Sequence, residues 1–393
     1  MSNFKYKSVH APRRKRYNSA PRRNRKSTIN PALFVKEAKS ARQTEYVAEN
    51  TFSQFAMNDL LKLNVAFMGF ETPMPIQDKS IPHGLAGRDV VGVANTGTGK
   101  TIAFALPVID KLISNSGSKA LIMAPTRELA EQIIDEFLKL SKDSRINSAL
   151  LIGGKPMYKQ ERALARKPRI VIGTPGRIKD HIKRGNLNLG QFDLAVLDEV
   201  DRMLDMGFIN DIRSILDRTS TIKQSFFFSA TVDHKVKSII NDFSKDPIYV
   251  EVKSSDSSDN VVQDIVSYSD RRDKMDKLHD LLNDSNVEKT LVFEETKRNV
   301  DRLHKELQER GFSVELMHGG KSQGQRKRAL QRFKDSNVNV LIATDVAARG
   351  IDVEGITHVV NYSTPNSYDD YIHRIGRAGR AGRTGNALTF VEK

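Results

Sequence analysis

The stretch Val90–Thr101, which reads VVGVANTGTGKT, decides the fold of the chain around it. Its apolar start predicts a buried strand, its glycines predict a tight loop, and the following IAFALPVIDKL predicts a helix. The backbone N–H groups of such a loop and the positive end of the helix dipole favour a bound phosphate group. Gly97 and Gly99 let the backbone approach that group closely. The stretch therefore predicts a phosphate-binding site, although Ala94 stands where the strict pattern has glycine; an ordinary glycine-rich loop is the alternative.

Two side chains at the start of the predicted helix suit a bound triphosphate. Lys100 is placed to reach the β- and γ-phosphates. The hydroxyl of Thr101 can bind Mg²⁺, directly or through water. We therefore expect Mg²⁺ as a cofactor at this loop.

The net charge of +15 is concentrated at the N-terminus. Residues 1–30 contain no acidic residue, and their ten basic residues are Lys5, Lys7, Arg13, Arg14, Lys15, Arg16, Arg22, Arg23, Arg25 and Lys26. Residues 1–45 show no helical or strand period, so we expect a disordered basic tail. We interpret it as a tether to nucleic acid; a transit peptide, a nuclear signal and a solubilising tail are the alternatives. The apolar residues 31–35 are expected to dock on a folded part of the chain.

Composition excludes several classes of protein. The sequence has no cysteine, which excludes disulfides, thiolate metal sites and a cysteine nucleophile, and suits a reducing compartment. No apolar run approaches the roughly 18–20 residues of a membrane helix, and no signal-peptide core follows Met1. The 393 residues, 38% of them hydrophobic, suffice for two or three domains with buried cores. We expect a monomeric, cytoplasmic protein without membrane segments and without a metal site other than that for Mg²⁺.

A first α/β domain is predicted over residues 50–252. Its short apolar runs predict strands at Val90–Val93, Ala120–Met123, Ala149–Ile152, Ile170–Ile172, Leu194–Leu197 and Phe226–Phe228. Because these runs are continuously apolar rather than alternating, they indicate a parallel sheet that is buried on both faces. Amphipathic segments such as Glu128–Leu140 predict helices between the strands.

A second, smaller α/β domain is predicted over residues 261–393, after a polar, serine-rich linker at 253–260. Strands are predicted at Thr290–Phe293, Ser313–Leu316, Val338–Ala343, Thr357–Val360 and Ala387–Val391. Helical segments such as Lys297–Arg310 lie between several of them. The fold class is therefore two tandem α/β domains, each a mostly parallel sheet with flanking helices. The sequence ends at Lys393, and we expect no helix after the last strand.

Three carboxylates follow the predicted strand Leu194–Leu197 in the sequence DEVD. Asp198, at the strand end beside the phosphate loop, is predicted to hold Mg²⁺. Glu199 is predicted to activate the water that attacks the γ-phosphorus. In isolation an acidic cluster after a strand is usually a solvated helix N-terminus. The upstream phosphate loop favours the catalytic interpretation.

The second domain supplies candidate arginine fingers, which stabilise the charge that develops in phosphoryl transfer. They occur in HRIGRAGR, residues 373–380. Arg377 and Arg380 are three positions apart, so they face one way in a helical turn. A solvated basic helix is the alternative.

An ordered set of motifs over about residues 50–392 resembles the DEAD-box family of ATP-dependent RNA helicases. The motifs are ETPMPIQ (71–77), ANTGTGKT (94–101), PTRELA (125–130), GG (153–154), TPGR (174–177), DEVD (198–201), SAT (229–231), TDVAARGID (344–352) and HRIGRAGR (373–380). So many motifs in order are far more specific than any single one. The resemblance implies two RecA-like domains with ATP in the cleft between them.

The resemblance implies roles for the residues of the ATP site. Gln77 would read the adenine edge, Phe70 would pack on the base, and Phe52, seventeen positions before Gly69, matches the family's upstream aromatic. The implied cofactor-binding residues are Phe52, Phe70, Gln77, Thr96, Gly97, Thr98, Gly99, Lys100, Thr101, Gly350 and Asp352. The implied catalytic residues are Lys100, Asp198, Glu199, Arg377 and Arg380. Ser229 and Thr231 would couple hydrolysis to strand separation, with Asp201 and His373 bridging toward them.

The resemblance also implies RNA as the partner, held by its phosphate–sugar backbone. The implied contacts are Thr126, Arg127, Gly154, Thr174 and Arg177 in the first domain and Gln323, Arg326 and Thr344 in the second. Such contacts position a strand without reading its sequence. Contacts near the sugar can distinguish RNA from DNA through the 2′-hydroxyl. Ribonucleoproteins are expected as further substrates.

The sequence departs from the family's pattern at three places, one of them a pair of residues. Val200 stands where the family has alanine in its name-giving motif, and Met74 stands where a threonine is usual. Glu294 and Glu295 place negative charge near the expected RNA side. Because all three carboxylates of DEVD remain, we expect ATPase activity.

Three functions remain open from the sequence. The first is an RNA-stimulated ATPase that separates short RNA duplexes or remodels ribonucleoproteins. The second, favoured by Val200 and the pair Glu294-Glu295, is an RNA clamp or annealing protein with little turnover. The third is a DNA helicase of the same superfamily, which the Gln77 motif and TPGR disfavour.

Overall fold

The computed structural model describes residues 30–36, 46–95, 97–219, 224–252, 260–348, 353–379 and 384–393. These residues form two β-sheets with helices packed on them. A short 3-10 turn at Pro31–Phe34 precedes both sheets in the chain. None of the helices within these ranges is long and apolar enough to cross a membrane.

The first sheet has seven strands among the described residues, all paired in parallel in the order β3-β4-β2-β5-β6-β1-β7. The strands are β1 Val90–Val93, β2 Ala120–Met123, β3 Ser148–Leu151, β4 Ile170–Gly173, β5 Leu194–Asp198, β6 Gln224–Ser229 and β7 Ile248–Glu251. The helices are α1 Asp59–Phe67, α2 Pro75–Leu85, α3 Lys100–Ser114, α4 Arg127–Leu140, α5 Met157–Ala165, α6 Pro175–Lys183, α7 Val200–Asp205, α8 Ile209–Leu216 and α9 His234–Phe243.

The second sheet has six described strands, also paired in parallel, in the order β10-β11-β9-β12-β13-β8. The strands are β8 Val261–Tyr268, β9 Thr290–Phe293, β10 Val314–Met317, β11 Val340–Ala343, β12 His358–Asn361 and β13 Gly385–Glu392. The helices are α10 Arg271–Leu282, α11 Lys297–Glu309, α12 Gln323–Lys334, α13 Asp345–Ala348 and α14 Tyr368–Ile375.

The continuously apolar strands form the predicted parallel sheets with a core on each face. Successive side chains of a strand point to opposite faces. Val90 and Val91 accordingly belong to different core clusters, and both are fully buried. The prediction of two tandem parallel α/β domains is therefore confirmed.

Two strands were absent from the sequence prediction, and both lie at sheet edges. β7 and β8 expose alternate side chains, with the polar residues Glu251 and Asp264 on their open faces. A half-exposed edge strand lacks the continuous apolar run by which the central strands were predicted. The remaining strands lie within a few residues of their predicted bounds.

In the first sheet the strand order brings motif residues together at the carboxyl ends of neighbouring strands. In the first sheet β1, β6 and β5 are neighbours, and their carboxyl ends carry the phosphate loop, Ser229 and Asp198. Ligands of open parallel sheets bind at this edge. The predicted linker falls between β7 and β8, and its residues 253–259, like residues 1–29 of the basic tail, lie outside the described ranges. The domain limits stay a prediction.

Candidate active site

Two side chains of the phosphate loop donate hydrogen bonds to its own backbone carbonyls. Gly99 ends the loop with φ +82°, and a Cβ there would lie 2.3 Å from Nε2 of Gln77, so glycine is required. The buried Lys100 donates from Nζ to the Ala94 carbonyl at 2.9 Å. Thr98 donates from its hydroxyl to the Asn95 carbonyl at 2.8 Å. The cation of Lys100 is thus held within the loop, at the N-terminus of α3.

Gln77 links the start of α2 to this loop. Its Oε1 accepts from the Met74 amide at 2.8 Å, and its Nε2 donates to the Gly99 carbonyl at 3.1 Å. Nearby, the ring of buried Phe52 lies 6.0 Å from that of Phe70, centroid to centroid. Phe70 is the more exposed of the two rings, so it is the better placed to meet a base.

Asp198 and Glu199 are buried at the end of β5. Burial raises the pKa of Asp198 to about 7, against the opposing charge of Lys100. Glu199 adopts the left-handed conformation, with φ 53° and ψ 55°, at the start of α7. That conformation costs a non-glycine residue about 1 kcal/mol or more, and such strain clusters at functional sites. It turns the chain from β5 into α7, where the Glu199 carboxylate lies 3.6 Å from Nε of Arg202.

Asp201 joins the DEVD and SAT motifs directly. Its Oδ2 accepts from the amides of Ala230 and Thr231 at 3.0 and 2.9 Å, and from the Thr231 hydroxyl at 3.2 Å. The Asp201 amide donates to the Ser229 hydroxyl at 3.2 Å. Burial alone would raise the pKa of Asp201, but the charge of Lys100 and these amide hydrogen bonds hold it below its usual value. These hydrogen bonds join the two motifs directly.

Val200 and Glu294, two of the three departures from the family pattern, lie away from open surface. Val200 is fully buried in the core between the sheet and its helices. Glu294 is 5% exposed, and its Oε2 accepts from the Glu295 amide at 2.8 Å and from Asn299 at 3.3 Å. Val200 therefore offers no accessible surface to a ligand, whereas the largely buried Glu294 lines a cavity with Lys274 and Arg302.

A small cavity lies where the two domains meet. Its lining residues are Arg202 from α7 and, from the second domain, Phe293, Asp345, Ala348, Asp370, His373, Arg374 and Arg377. Nε of Arg202 lies 3.6 Å from Oε2 of Glu199. The structure thus brings the predicted finger Arg377 and the predicted coupling residue His373 to the neighbourhood of the DEVD motif.

Arg374 fixes α14, the helix that carries His373 and directly precedes Arg377. Its Nε and Nη2 donate to the two carboxylate oxygens of Asp345 at 2.6 and 2.8 Å. Its Nη1 donates to the Ser363 carbonyl at 2.7 Å and to Oδ1 of Asn361 at 3.2 Å. Such a bidentate pair is geometrically specific, so α14 is held in one orientation on the sheet.

A second contact between the domains joins α4 to α12. The carboxylate of Glu128 lies 2.9 Å from Nη2 of Arg326 and accepts from Nε2 of Gln323 at 3.0 Å. Gln323 also donates to Oε2 of Glu131 at 3.2 Å. Glu128, Gln323 and Arg326 are all buried. We name these three residues the clasp.

The remaining predicted RNA residues lie around the clasp. The guanidinium of Arg127 covers Gly153 and Gly154, where a Cβ would lie 2.6 and 2.5 Å from its nitrogens. Thr126 caps α4 through its hydroxyl, and Thr344 is 8% exposed after β11. Thr174 precedes α6 without a side-chain capping bond, and Arg177 lies within 3.6 Å of Asp180. The paired glycines are thus needed for close packing of Arg127.

Some predicted residues lie outside the described ranges, and others were missed. Thr96, Gly350, Asp352 and Arg380 are not among the described residues. The sequence reasoning assigned no role to Arg202 or to Glu128. Their positions in the sequence could have identified them, since Arg202 follows DEVD directly and Glu128 stands within PTRELA. Gln323 and Arg326 were assigned to RNA alone, whereas the structure also pairs them with Glu128.

Two family models match the chain in the two domains. The first, DEAD/DEAH box helicase, matches residues 74–239, and the second, helicase conserved C-terminal domain, matches residues 273–382. The DEAD-box ATP-dependent RNA helicase CshA of Bacillus subtilis is 43% identical over 342 residues, which are 87% of this chain and 69% of that protein. The chain belongs to the DEAD-box helicase family. This DEAD-box chain is also 44% identical over 342 residues to the ATP-dependent RNA helicase CshA of Listeria monocytogenes, covering 87% of itself and 66% of that protein.

The chain thus spans just under two-thirds of the length of the Listeria relative. Among solved structures it is similar to S. cerevisiae Dbp5 bound to RNA and ADP BeF3, with a TM-score of 0.77 and 28% identity. That similarity covers 87% of this chain and 90% of the other. It extends over both domains and therefore confirms the RecA-like pair.

Proposed function

We propose that the protein is an RNA-stimulated ATPase that separates short RNA duplexes or remodels ribonucleoproteins. One observation carries this proposal: Arg202, which directly follows the DEVD motif in the first domain, and His373 and Arg377 of the second domain line one cavity. A site divided in this way works only when the domains are closed on each other. The curated relatives named ATP-dependent RNA helicase and the similarity to an RNA-bound structure support the choice of substrates.

The side chains of the first domain bind the triphosphate and prepare the attacking water. Lys100 moves from the Ala94 carbonyl to the β- and γ-phosphates, while the loop from Gly97 to Gly99 supplies backbone N–H donors. Glu199 accepts a proton from water, because its strained backbone holds the carboxylate at the strand end. Gln77 reads the adenine base while it hydrogen-bonds to the Gly99 carbonyl of the loop, and Phe70 packs on the base.

The residues fit a magnesium ion that is bound chiefly by phosphates and water. Mg²⁺ in phosphate-transfer sites uses one or two carboxylates, and Asp198 and the Thr101 hydroxyl are the available ligands. Among the described residues no group of three or more His, Cys, Asp or Glu side chains makes a separate metal site. When bound, the ion would neutralise charge on the phosphates. It would also favour the ionised form of buried Asp198.

The second domain completes the catalyst and grips RNA. Arg377 and Arg380 act as fingers, and Gly350 and Asp352 approach the nucleotide. Asp201 passes changes at the γ-phosphate to Ser229 and Thr231. RNA lies along Thr126, Arg127, Gly154, Thr174 and Arg177, and on the other side along Gln323, Arg326 and Thr344. The clasp forms on closure, so ATP and RNA tighten each other's binding, typically by about 1–3 kcal/mol.

We also propose the division into a basic tail (1–45), an ATP-binding domain (50–252), a linker (253–260) and a second domain (261–393). Residues 30–36 of the tail are folded against the second domain rather than disordered as expected. The DEVD sequence is proposed to work as a variant of the family motif, because Val200 packs in the core while the Asp201 carboxylate accepts from the SAT motif. A monomer in the cytoplasm is proposed, consistent with a sequence free of cysteine.

The test compares the wild type with Glu199→Gln on matched RNA and DNA duplexes. For the wild type we expect ATP-dependent separation of RNA duplexes but not of DNA duplexes. We expect Glu199→Gln to bind ATP and RNA but to release the RNA slowly, because it cannot hydrolyse ATP. A variant that behaves as the wild type would favour the clamp with little turnover. Equal unwinding of DNA would favour the DNA helicase.

A further inference from the structure

Residues 30–36 lie on the second domain, although the chain enters the first domain next. Lys36 forms an isolated antiparallel bridge with Gln263 of β8, donating its amide to the Gln263 carbonyl at 3.0 Å and accepting from the Gln263 amide at 2.8 Å. Residues 46–50 are anchored on the first domain instead, where Asp78 accepts from the Tyr46 hydroxyl and the Glu49 amide, both at 2.7 Å. The chain therefore touches the second domain before it builds the first.

Phe34 anchors this segment. Its side chain is 0% exposed and belongs to the core of the second domain, whereas the flanking Leu33 and Val35 are 51% and 56% exposed. The Phe34 ring lies 4.7 Å from the ring of Tyr371, centroid to centroid. A single buried aromatic between exposed neighbours is an anchor for a docked segment rather than part of a continuous apolar strand.

The docking place is the open edge of the sheet. β8 is the last strand of its sheet, so one side of it is free of β-strand partners among the described residues. Backbone pairing to such an edge is the usual way by which an extended segment adds to a sheet. The bridge to Gln263 supplies that pairing, and Phe34 supplies the side-chain pocket contact.

The docked segment touches α14, the helix that directly precedes Arg377. Tyr371 is fully buried on α14, and its hydroxyl donates to Oε1 of Gln263 at 2.9 Å. Gln263 is therefore held by Lys36 through its backbone and by Tyr371 through its side chain. Arg374 lies three residues after Tyr371 on the same helical face, and Arg377 follows at the seam.

We propose that residues 30–36 form a strap in which Phe34 is a positioning residue, fixing through Tyr371 the placement of α14 and hence of Arg377. The strap lies outside the two family models, which begin at residues 74 and 273, so it is a property of this chain beyond the matched family domains. The proposal rests on the proposed function for its catalytic consequence. Its structural content, that the strap steadies α14, stands independently.

The test uses the full chain with Phe34→Ala, with Leu33→Ala as the matched control on the exposed neighbour. Phe34→Leu is the conservative variant, and Lys36→Pro removes the amide donor without touching the core. Hydrogen exchange of the α14 amides reports the placement of the helix, and RNA-stimulated turnover reports its catalytic use. We expect faster exchange in α14 and a kcat lowered by about ten- to a hundredfold for Phe34→Ala, with the KM for ATP within about twofold of wild type.

A purely stabilising role would lower the melting temperature but leave kcat unchanged well below it. Phe34→Leu is expected to restore most of the turnover, and Leu33→Ala to match the wild type. If Phe34→Ala does not fold, the Lys36→Pro variant tests the proposal instead. We then expect faster hydrogen exchange of the α14 amides in Lys36→Pro. Unchanged exchange in α14 in the folded variant overturns the strap. A wild type without RNA stimulation overturns the proposed function, and the exchange result still decides the strap.

Discussion

Replacing Glu128 by glutamine removes the charge at the centre of the clasp. Its carboxylate lies 2.9 Å from the Arg326 guanidinium and 3.0 Å from Nε2 of Gln323, and all three side chains are under one-tenth exposed. Burial lowers the pKa of Arg326, and the charge of Glu128 opposes that effect. The pair is buried only where the two domains meet, so the substitution penalises closure rather than the folding of either domain.

The magnitude follows from this geometry. A hydrogen bond to a charged group contributes about 1.5–3 kcal/mol, and a buried charge that loses its partner costs about 3–5 kcal/mol. Because the domains can separate and hydrate Arg326, the larger cost is not reached. We expect a loss of about 2 kcal/mol of coupling between ATP and RNA, roughly thirtyfold.

The assay measures the Kd of a fluorescent single-stranded RNA with and without a non-hydrolysable ATP analogue. The ratio of the Kd without the analogue to the Kd with it should fall roughly thirtyfold in Glu128→Gln. ATP binding without RNA should be unchanged, because Glu128 takes no part in the phosphate loop. Asp135→Asn, an exposed acid on the same helix, is the matched control. An unchanged ratio would refute the role of the clasp in coupling ATP binding to RNA binding, and Arg326 would then be an RNA contact alone.

Three further predictions concern the first domain and the tail. Burial raises the pKa of Asp198 to about 7. This carboxyl group therefore binds its proton more tightly in the folded protein than in the unfolded chain, and the free energy of unfolding falls as pH rises from about 4 to 7. In thermal melts, Asp198→Asn should therefore stabilise the ATP-free domain by about 2–3 kcal/mol more at pH 8 than at pH 5, and it should abolish hydrolysis. Equal stabilisation at both pH values would contradict this. Val200→Ala should cost the first domain about 2 kcal/mol of stability, from two buried methyl groups, with kcat within about twofold of wild type. A large loss of turnover in a stable variant would place Val200 in the coupling path instead. Deleting residues 1–29 should weaken RNA binding and reduce the log–log salt slope by about 0.7 for each RNA phosphate that the tail neutralises in the full chain, with saturated turnover unchanged. An unchanged slope would make the tail a targeting or solubility segment.

The sequence predicted those elements whose local pattern is decisive. The strands β1, β2 and β9 were located to the residue, because each is a continuous apolar run between polar turns. The edge strands β7 and β8 carry alternating side chains, and their pairing depends on neighbours far away in the chain. Local patterning does not contain that information, so both were missed.

The same division holds for the site. The positions of the glycine-rich loop and of Asp198 at strand ends were predictable, because each lies within a few residues of the strand that positions it. Gln323 and Glu128 are 195 residues apart, and no spacing rule joins them. The docking of residues 31–35 was expected, whereas its place beside Tyr371 depends on the open edge of a distant sheet.

The most direct test of the divided site is the rate of ATP turnover with and without saturating single-stranded RNA, for the wild type and for Arg377→Ala. Single-stranded DNA serves as the control polymer. We predict strong stimulation of the wild type by RNA alone, and its loss in Arg377→Ala while ATP still binds. Equal turnover with and without RNA, or full stimulation without Arg377, would contradict a catalyst completed by the second domain.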